Sequence, residues 1–193
     1  TKYIYYLGLL ILFGCISNDS DPDPNLIPRE ETLPDATQTG RNTLGCLVDG
    51  EVWLPISRSL TLAPLIVNYL NHSFSITARK KVNDVNQTIV MAVEDEVNSI
   101  GTYELLDESQ YGFFTDLNND CTYYTSSTHK GTLEITKLDT VNHIIAGRFE
   151  FTFQESECPV DETEEGCPVP PEERGCPTVR VTQGRFDLKY NAY

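Results

Sequence analysis

The sequence predicts an all-β domain, an antiparallel sandwich or a lipocalin-like barrel of about 8–10 strands. Short runs of β-branched and aromatic residues recur between residues 41 and 193, turn residues separate them, and helical periodicity is missing. Strand number and shear distinguish a closed barrel from a sandwich, and the runs reveal neither, so both architectures stay open.

Two hairpins are visible in the sequence. The Asp49-Gly50 dipeptide supplies the positive φ angles of a two-residue type I′ turn, which places Cys46 opposite Trp53. A turn at residues 71–72 places Tyr69 opposite Phe74 and gathers the apolar side chains of strands 65–70 and 73–81 on one face. A one-residue slip would destroy that sorting, so the register is specified.

Further strands are predicted at residues 87–94, 100–106, 111–115, 131–138 and 143–153. Pairing Leu138 with Ile144 in the last hairpin brings Glu134 opposite Arg148. The final strand spans residues 178–190, where the apolar positions change phase.

The phase change predicts a β-bulge or bend at Gly184, because an extra residue in one strand shifts the facing of every later side chain. Gly147 precedes the same Arg-Phe pair and marks a similar close approach or bend.

The N-terminus resembles a lipoprotein signal. Lys2 precedes an apolar run at residues 3–13 that is too short to span a bilayer. The ending LFGC, residues 12–15, resembles the lipobox of bacterial lipoproteins, in which Cys15 is lipidated and becomes the new N-terminus. Residues 1–15 are therefore the predicted signal, and the predicted partner is a membrane, reached through the lipid anchor.

An acidic tether, residues 16–40, is expected to follow Cys15, and a single β domain to occupy residues 41–193. Acidic residues just behind a lipidated cysteine resemble the surface-export signal of Bacteroidetes lipoproteins. The expected location is the outer membrane facing the cell surface, with the periplasmic face as the alternative.

Four segments carry a family resemblance: GCLVDGEVW (45–53), GTLEITKLD (131–139), GRFEF (147–151) and VTQGRFDLKY (181–190). Together they resemble uncharacterised Bacteroidetes outer-membrane or surface lipoproteins with an all-β domain of unknown function. The lead-in at residues 33–44 is similar as well. The resemblance implies a localisation and a fold, and it brings no catalytic or ligand-binding residues.

The formal net charge of −15 disfavours nucleic acid as a partner, because phosphate recognition needs a basic face. It also argues against docking on an anionic membrane through a polybasic patch. Most of the charge lies in the tether and in a Cys/Pro/Glu-rich loop at residues 155–177.

An exported protein can form disulfides, and the candidates are Cys46, Cys121, Cys158, Cys167 and Cys176. The last three lie nine residues apart, in a short internal repeat. A surface loop closed by one disulfide is expected, and the pairing cannot be deduced: Cys46 with a loop cysteine is as plausible as a pair within the loop. The thiolate spacing does not match a zinc site, and no metal or cofactor is expected.

Candidate ligand-binding residues are the aromatic side chains of Tyr111, Phe113, Phe114, Tyr123 and Tyr124, which could line a carbohydrate platform or pack in the core. Between them, residues 116–120 resemble the start of a calcium loop that lacks its glycine and its glutamate. Thr140 lies in a three-residue pattern that resembles O-glycosylation sites of Bacteroidetes.

No nucleophile, base and orienting carboxylate are grouped, so an enzyme is not expected. Two hypotheses remain open beside a remote hydrolase. In the first, a surface-anchored, non-catalytic domain binds a glycan or a protein outside the cell. In the second, the chain is a structural accessory subunit of an outer-membrane assembly. The oligomeric state cannot be read from the sequence.

Overall fold

A computed structural model of the chain describes residues 32–94, 97–106, 109–153, 176 and 178–191. These residues belong to one compact unit, Thr32–Tyr193. The predicted signal, Cys15, residues 16–31 of the tether and nearly all of the loop at 155–177 lie outside the described residues, so those interpretations stay predictions.

Two six-stranded sheets pack face to face as a sandwich, and the described ranges contain no helix. The all-β fold class is confirmed, and the architecture is the sandwich rather than the barrel. In chain order the strands are β1 (Thr43–Val48), β2 (Glu51–Trp53), β3 (Ile56–Ser57), β4 (Leu65–Leu70), β5 (Ser73–Val82), β6 (Val85–Val93), β7 (Gly101–Leu105), β8 (Gln110–Asp116), β9 (Cys121–Tyr124), β10 (Gly131–Asp139), β11 (Ile144–Phe153) and β12 (Val179–Lys189).

The first sheet has the order β2-β1-β12-β11-β10-β7, with every neighbouring pair antiparallel. The second sheet has the order β3-β5-β6-β8-β9, and β4 also pairs with β5. Strands β3 and β4 share one edge of β5, because β3 pairs in parallel with residues 80–81 and β4 pairs antiparallel with residues 73–78. The edges of the second sheet are therefore β3 with β4 on one side and β9 on the other.

The core fills the space between the sheets with large apolar side chains. Buried positions alternate with partly exposed ones along most of β5, and with exposed or partly exposed ones in β11 from Gly147 onward, as expected of strands with one face on a core. The largest side chains below 2% exposure include Phe74, Ile76, Phe149 and Phe153, from both sheets. Burial of these apolar side chains supplies the main favourable contribution to the free energy of folding.

Both predicted hairpins are confirmed. Cys46 pairs with Trp53, and Tyr69 pairs with Phe74. Positive φ angles occur at both residues of each turn: Asp49, Gly50, Asn71 and His72. The registers therefore follow from the turn chemistry and from the alternation of apolar side chains.

The bulge in β12 is also confirmed. The pairing with β11 shifts by one residue beside Gly184, and the left-handed residue is its neighbour Gln183, with a φ of 52°. A Cβ on Gly184 would lie 2.5 Å from the backbone oxygen of Phe149, so only glycine fits. Gly147 makes the close approach expected of it, since a Cβ there would meet the backbone oxygen of Glu134.

The predicted pairing of Leu138 with Ile144 is wrong by one residue, because Leu138 pairs with Ile145. The register shifts inside β10, so this strand contains one more residue than its partner between the turn and the middle of the hairpin. Beyond the shift, Glu134 lies opposite Arg148 as predicted.

Two short strands, β3 and β9, were not among the predicted ones. β3 has two residues, and β9 has four that directly follow a polar turn, so neither gives a readable alternation. The two-residue turn between β5 and β6, which contains Asn83 in the left-handed region, also escaped prediction.

Residues 32–42, here called the strap, are hydrogen-bonded to the first sheet. Thr37 and Thr39 bond to the Asp187 carboxylate of β12, and Gln38 donates to the Thr136 hydroxyl of β10. The sequence assigns residues 32–40 to the tether, whereas the structure places them in the same compact unit as the sheets.

Candidate functional site

The five candidate aromatic residues divide between the two faces of the second sheet. Phe114 and Tyr123 are 2% exposed and belong to the core, with ring centroids 5.9 Å apart. The side chains of Tyr111, Phe113 and Tyr124 point to the opposite, outer face, because side chains alternate along a strand. Half-buried Tyr111 and Phe113 and exposed Tyr124 are called the aromatic strip below.

The rings of the aromatic strip form a continuous apolar surface. The Tyr111 and Phe113 rings are nearly parallel, with an interplanar angle of 12° and centroids 6.4 Å apart. Phe113 lies opposite Tyr124 across β8 and β9, with centroids 5.7 Å apart. Tyr124 has 47% of its surface exposed at the edge of the sheet, so the strip is open to a ligand.

Small and branched side chains of β6 extend the strip toward the middle of the sheet. Val90 pairs with Phe113, and Ala92 pairs with Tyr111. Although both lie on the outer face, Val90 is only 8% exposed and Ala92 only 5%. The surface is therefore a packed sheet face rather than a set of isolated side chains.

A row of hydroxyl groups runs beside the aromatic strip. Thr88 pairs with Thr115, which pairs with Thr122, so three threonines cross β6, β8 and β9 on the same outer face. They are called the threonine row. Arg79 of β5 continues it, opposite Thr88. Aromatic faces beside hydroxyl and guanidinium groups match ligands that combine apolar and hydroxyl-bearing faces.

The calcium-like loop uses its oxygen atoms within the protein. The Asp116 carboxylate accepts hydrogen bonds from the backbone of Asn118 at 3.1 Å, from the Asn119 amide at 3.0 Å and from the Gln87 amide at 3.2 Å. Asn118 accepts one from the backbone of Asn86 at 2.7 Å. These bonds are those of a polar turn, and the described residues contain no group of three or more His, Cys, Asp or Glu side chains placed to hold a metal.

The disulfide among the described residues uses two of the candidate cysteines in a pairing that the sequence did not single out. Cys121 of β9 is bonded to Cys176, three residues before β12, so the disulfide joins the two sheets. Cys46 is a free, fully buried thiol, and a bond from Cys46 to the loop is the wrong prediction. Burial raises the pKa of Cys46 to about 12, against a smaller lowering by the charge of Lys80. Cys158 and Cys167 lie outside the described residues.

Thr140 lies exposed in the turn between β10 and β11. The preceding Asp139 shapes this turn, since its carboxylate accepts hydrogen bonds from the Asn142 amide and from the backbone of Val141 and Asn142. The bonds from Asn142, more than the charge of Lys137, hold the pKa of Asp139 below its ordinary value. Val141 is 84% exposed, so an enzyme could approach the Thr140 hydroxyl.

Asp187 is a polar centre that the sequence does not predict. Alternation along β12 places it on the outer face, where an exposed carboxylate would be ordinary, yet the strap leaves it 0% exposed. It accepts hydrogen bonds from the Thr37 hydroxyl at 2.6 Å and from the backbone of Thr39 and Gly40 at 2.9 and 2.6 Å. Burial raises the pKa of Asp187, but these bonds outweigh it and lower the pKa overall.

An open cleft of about 450 Å³ lies between β4 and the end of β12. The apolar Leu65, Val67 and Leu188 form part of its wall, beside Asn42 and Lys189. The Asn42 oxygen accepts a hydrogen bond from the backbone of Lys189 at 2.8 Å.

Comparison with known proteins identifies the family. A model described as a domain of unknown function, DUF6252, matches residues 66–170, more than half of the chain. The chain belongs to the DUF6252 family. The DUF6252 match contains the whole aromatic strip and the threonine row, whereas the strap, Asp187 and Cys176 lie outside it. Searches of curated proteins and of solved structures found no match.

Proposed function

We propose that the protein is a lipid-anchored, non-catalytic binding protein of the cell envelope whose aromatic strip binds an extracellular glycan. The strip carries the proposal: three aromatic side chains share one open face, and the threonine row runs beside them. Sugar rings present an apolar face and a rim of hydroxyl groups, which these two rows complement.

Binding of the full chain to an array of polysaccharides tests the ligand class. Tyr124→Ala removes the most exposed ring, and the affinity for a bound glycan is expected to fall about tenfold, the effect of losing one stacked ring. Leu117→Ala is the matched control, since Leu117 is 56% exposed in the turn of the same hairpin. Uniformly negative arrays, or equal losses in both variants, would contradict the proposal.

The anchor and the location are tested in cells. The signal at residues 1–15 and the acidic segment behind Cys15 support an outer-membrane lipoprotein, similar to those of Bacteroidetes, that faces the cell surface. Within the described residues, no helix has the length and hydropathy to cross a membrane. Cys15→Ala should release the protein from the membrane fraction.

Protease treatment of intact cells separates the two faces of the outer membrane. Digestion of the protein in intact cells is expected for a surface location. Protection in intact cells, followed by digestion after lysis, would place the protein on the periplasmic face instead.

A further inference from the structure

The β3–β4 edge of the second sheet carries a charge opposite to that of the rest of the chain. Residues 52–83 contain no Asp or Glu, but they contain Arg58, Arg79, Lys80 and Lys81, in a protein of formal net charge −15. The basic residues are close in the fold as well: Arg58 bonds through its backbone to the Lys81 oxygen at 3.3 Å, and Lys80 pairs with Ile56 of β3.

The loop between β3 and β4, residues 58–64, presents apolar side chains at this edge. Leu60 has a relative exposure of 104%, the highest among the exposed apolar side chains, and Leu62 has 38%. Ile56 at 42% and Ile66 at 38% flank the loop on the adjoining strands. Apolar side chains grouped this way on a surface mark an interaction site more often than single exposed ones do.

Hydrogen bonds tie the loop together on both sides of Leu60 and join it to β5. The Ser59 hydroxyl accepts a bond from the backbone of Thr61 at 3.3 Å and shares one with the Thr61 hydroxyl at 3.2 Å. The Arg79 guanidinium donates to the Ala63 oxygen at 3.3 Å, and the Arg79 backbone donates to the Pro64 oxygen at 2.7 Å. Because several polar groups of the loop are hydrogen-bonded within the protein, moving the loop from water to another surface costs less desolvation free energy.

We propose that this edge docks on an anionic lipid surface, with Leu60 and Leu62 entering the apolar layer and Arg58 and Lys81 facing the headgroups. Charge complementarity selects the partner, since basic side chains at this edge attract anionic headgroups although the protein as a whole is acidic. Protruding leucines add burial in the acyl region, and long basic side chains keep their charges at the interface.

This edge lies across the second sheet from β9 and the aromatic strip. A domain docked through β3 and β4 would therefore keep Tyr124 accessible. The inference depends neither on the ligand of the strip nor on the lipid anchor. It runs against the expectation, drawn from the net charge, that argues against docking on an anionic membrane through a basic patch.

The test is tryptophan fluorescence of the full chain with Leu60→Trp, titrated with phosphatidylglycerol or phosphatidylcholine vesicles. The emission is expected to shift to shorter wavelength with the anionic vesicles alone, and the shift should weaken as salt is raised. Val141→Trp is the matched control, because Val141 is 84% exposed in the β10–β11 turn of the other sheet, and its emission should not shift.

Adding Arg58→Gln and Lys81→Gln to Leu60→Trp should raise the lipid concentration at half-maximal shift about thirtyfold, at about 1 kcal/mol per basic residue near an anionic surface. No shift of Leu60→Trp, equal shifts at both tryptophan positions, or equal shifts with both lipids would overturn the proposal. Far-UV circular dichroism verifies that each variant is folded.

Discussion

Asp187 links the strap to the first sheet through hydrogen bonds that only an ionised carboxylate can accept in full. The bonds lower its folded pKa below that of an unfolded aspartate, about 3.9. Its contribution to the free energy of unfolding is therefore complete above that value, and it disappears as the pH falls through the folded pKa.

Asp187→Asn should consequently lower the free energy of unfolding by about 2 kcal/mol at pH 7, since an amide places donor hydrogens toward backbone donors. The measurement is urea denaturation between pH 7 and pH 3. The difference in free energy of unfolding between wild type and variant should become smaller as the pH falls. Glu134→Gln, an exposed carboxylate on the same sheet, is the control and should change little. A difference in free energy of unfolding that does not change with pH would contradict stabilisation by the ionised Asp187 carboxylate.

Gly184 and Gly101 provide a paired test of the close approach in the bulge. A Cβ on Gly184 would lie 2.5 Å from the Phe149 backbone oxygen, whereas a Cβ on Gly101 would meet nothing within 4 Å. Gly184→Ala should lower the free energy of unfolding by about 3 kcal/mol, and Gly101→Ala should leave it nearly unchanged. Thermal unfolding of the two variants measures the difference, and similar melting temperatures would argue against a tight bulge.

At the scale of strands, the disulfide joins β9 at one edge of the second sheet to the start of β12 inside the first. Closing a loop with a sequence separation of 55 residues removes entropy from the unfolded chain worth about 4 kcal/mol. Replacing both Cys121 and Cys176 by serine should lower the free energy of unfolding by about that amount.

Denaturant unfolding of this double variant and of the wild type, each with and without reductant, checks the disulfide prediction. The reduced wild type should approach the stability of the variant. Cys46→Ala serves as the control for loss of a thiol, and its cost should reflect only a small core cavity. If the oxidised wild type were no more stable than the double variant, the disulfide would make no contribution to the free energy of unfolding.

Strands could be predicted from the sequence wherever one face is apolar over several residues. The registers of β1 with β2 and of β4 with β5 follow from positive-φ turn residues and alternation alone. β9 could not be predicted in this way, because four residues show too little alternation and its pairing partner decides its conformation. In the β10–β11 hairpin the internal shift of register left no signal, since the residues on both sides remain compatible with either pairing.

At the scale of the whole molecule, the candidate site was predictable only as a group of residues. Sequence alone places five aromatic residues near one another, but pairing across strands decides that Tyr111, Phe113 and Tyr124 share the outer face. The threonine row was not predictable, because Thr88, Thr115 and Thr122 come from three strands whose registers had not been assigned. Asp187 was missed for a similar reason, since its partners lie about 150 residues away.

The position of Cys176 also has a consequence for how the chain could change its length. β12 is held covalently just before it begins, so its register no longer depends on the number of residues that separate it from β11. Duplications among the Cys-Pro repeats upstream of Cys176 would therefore be tolerated without disturbing the sandwich. The same arrangement makes this connection the natural point at which to splice a peptide tag or a second domain into the protein.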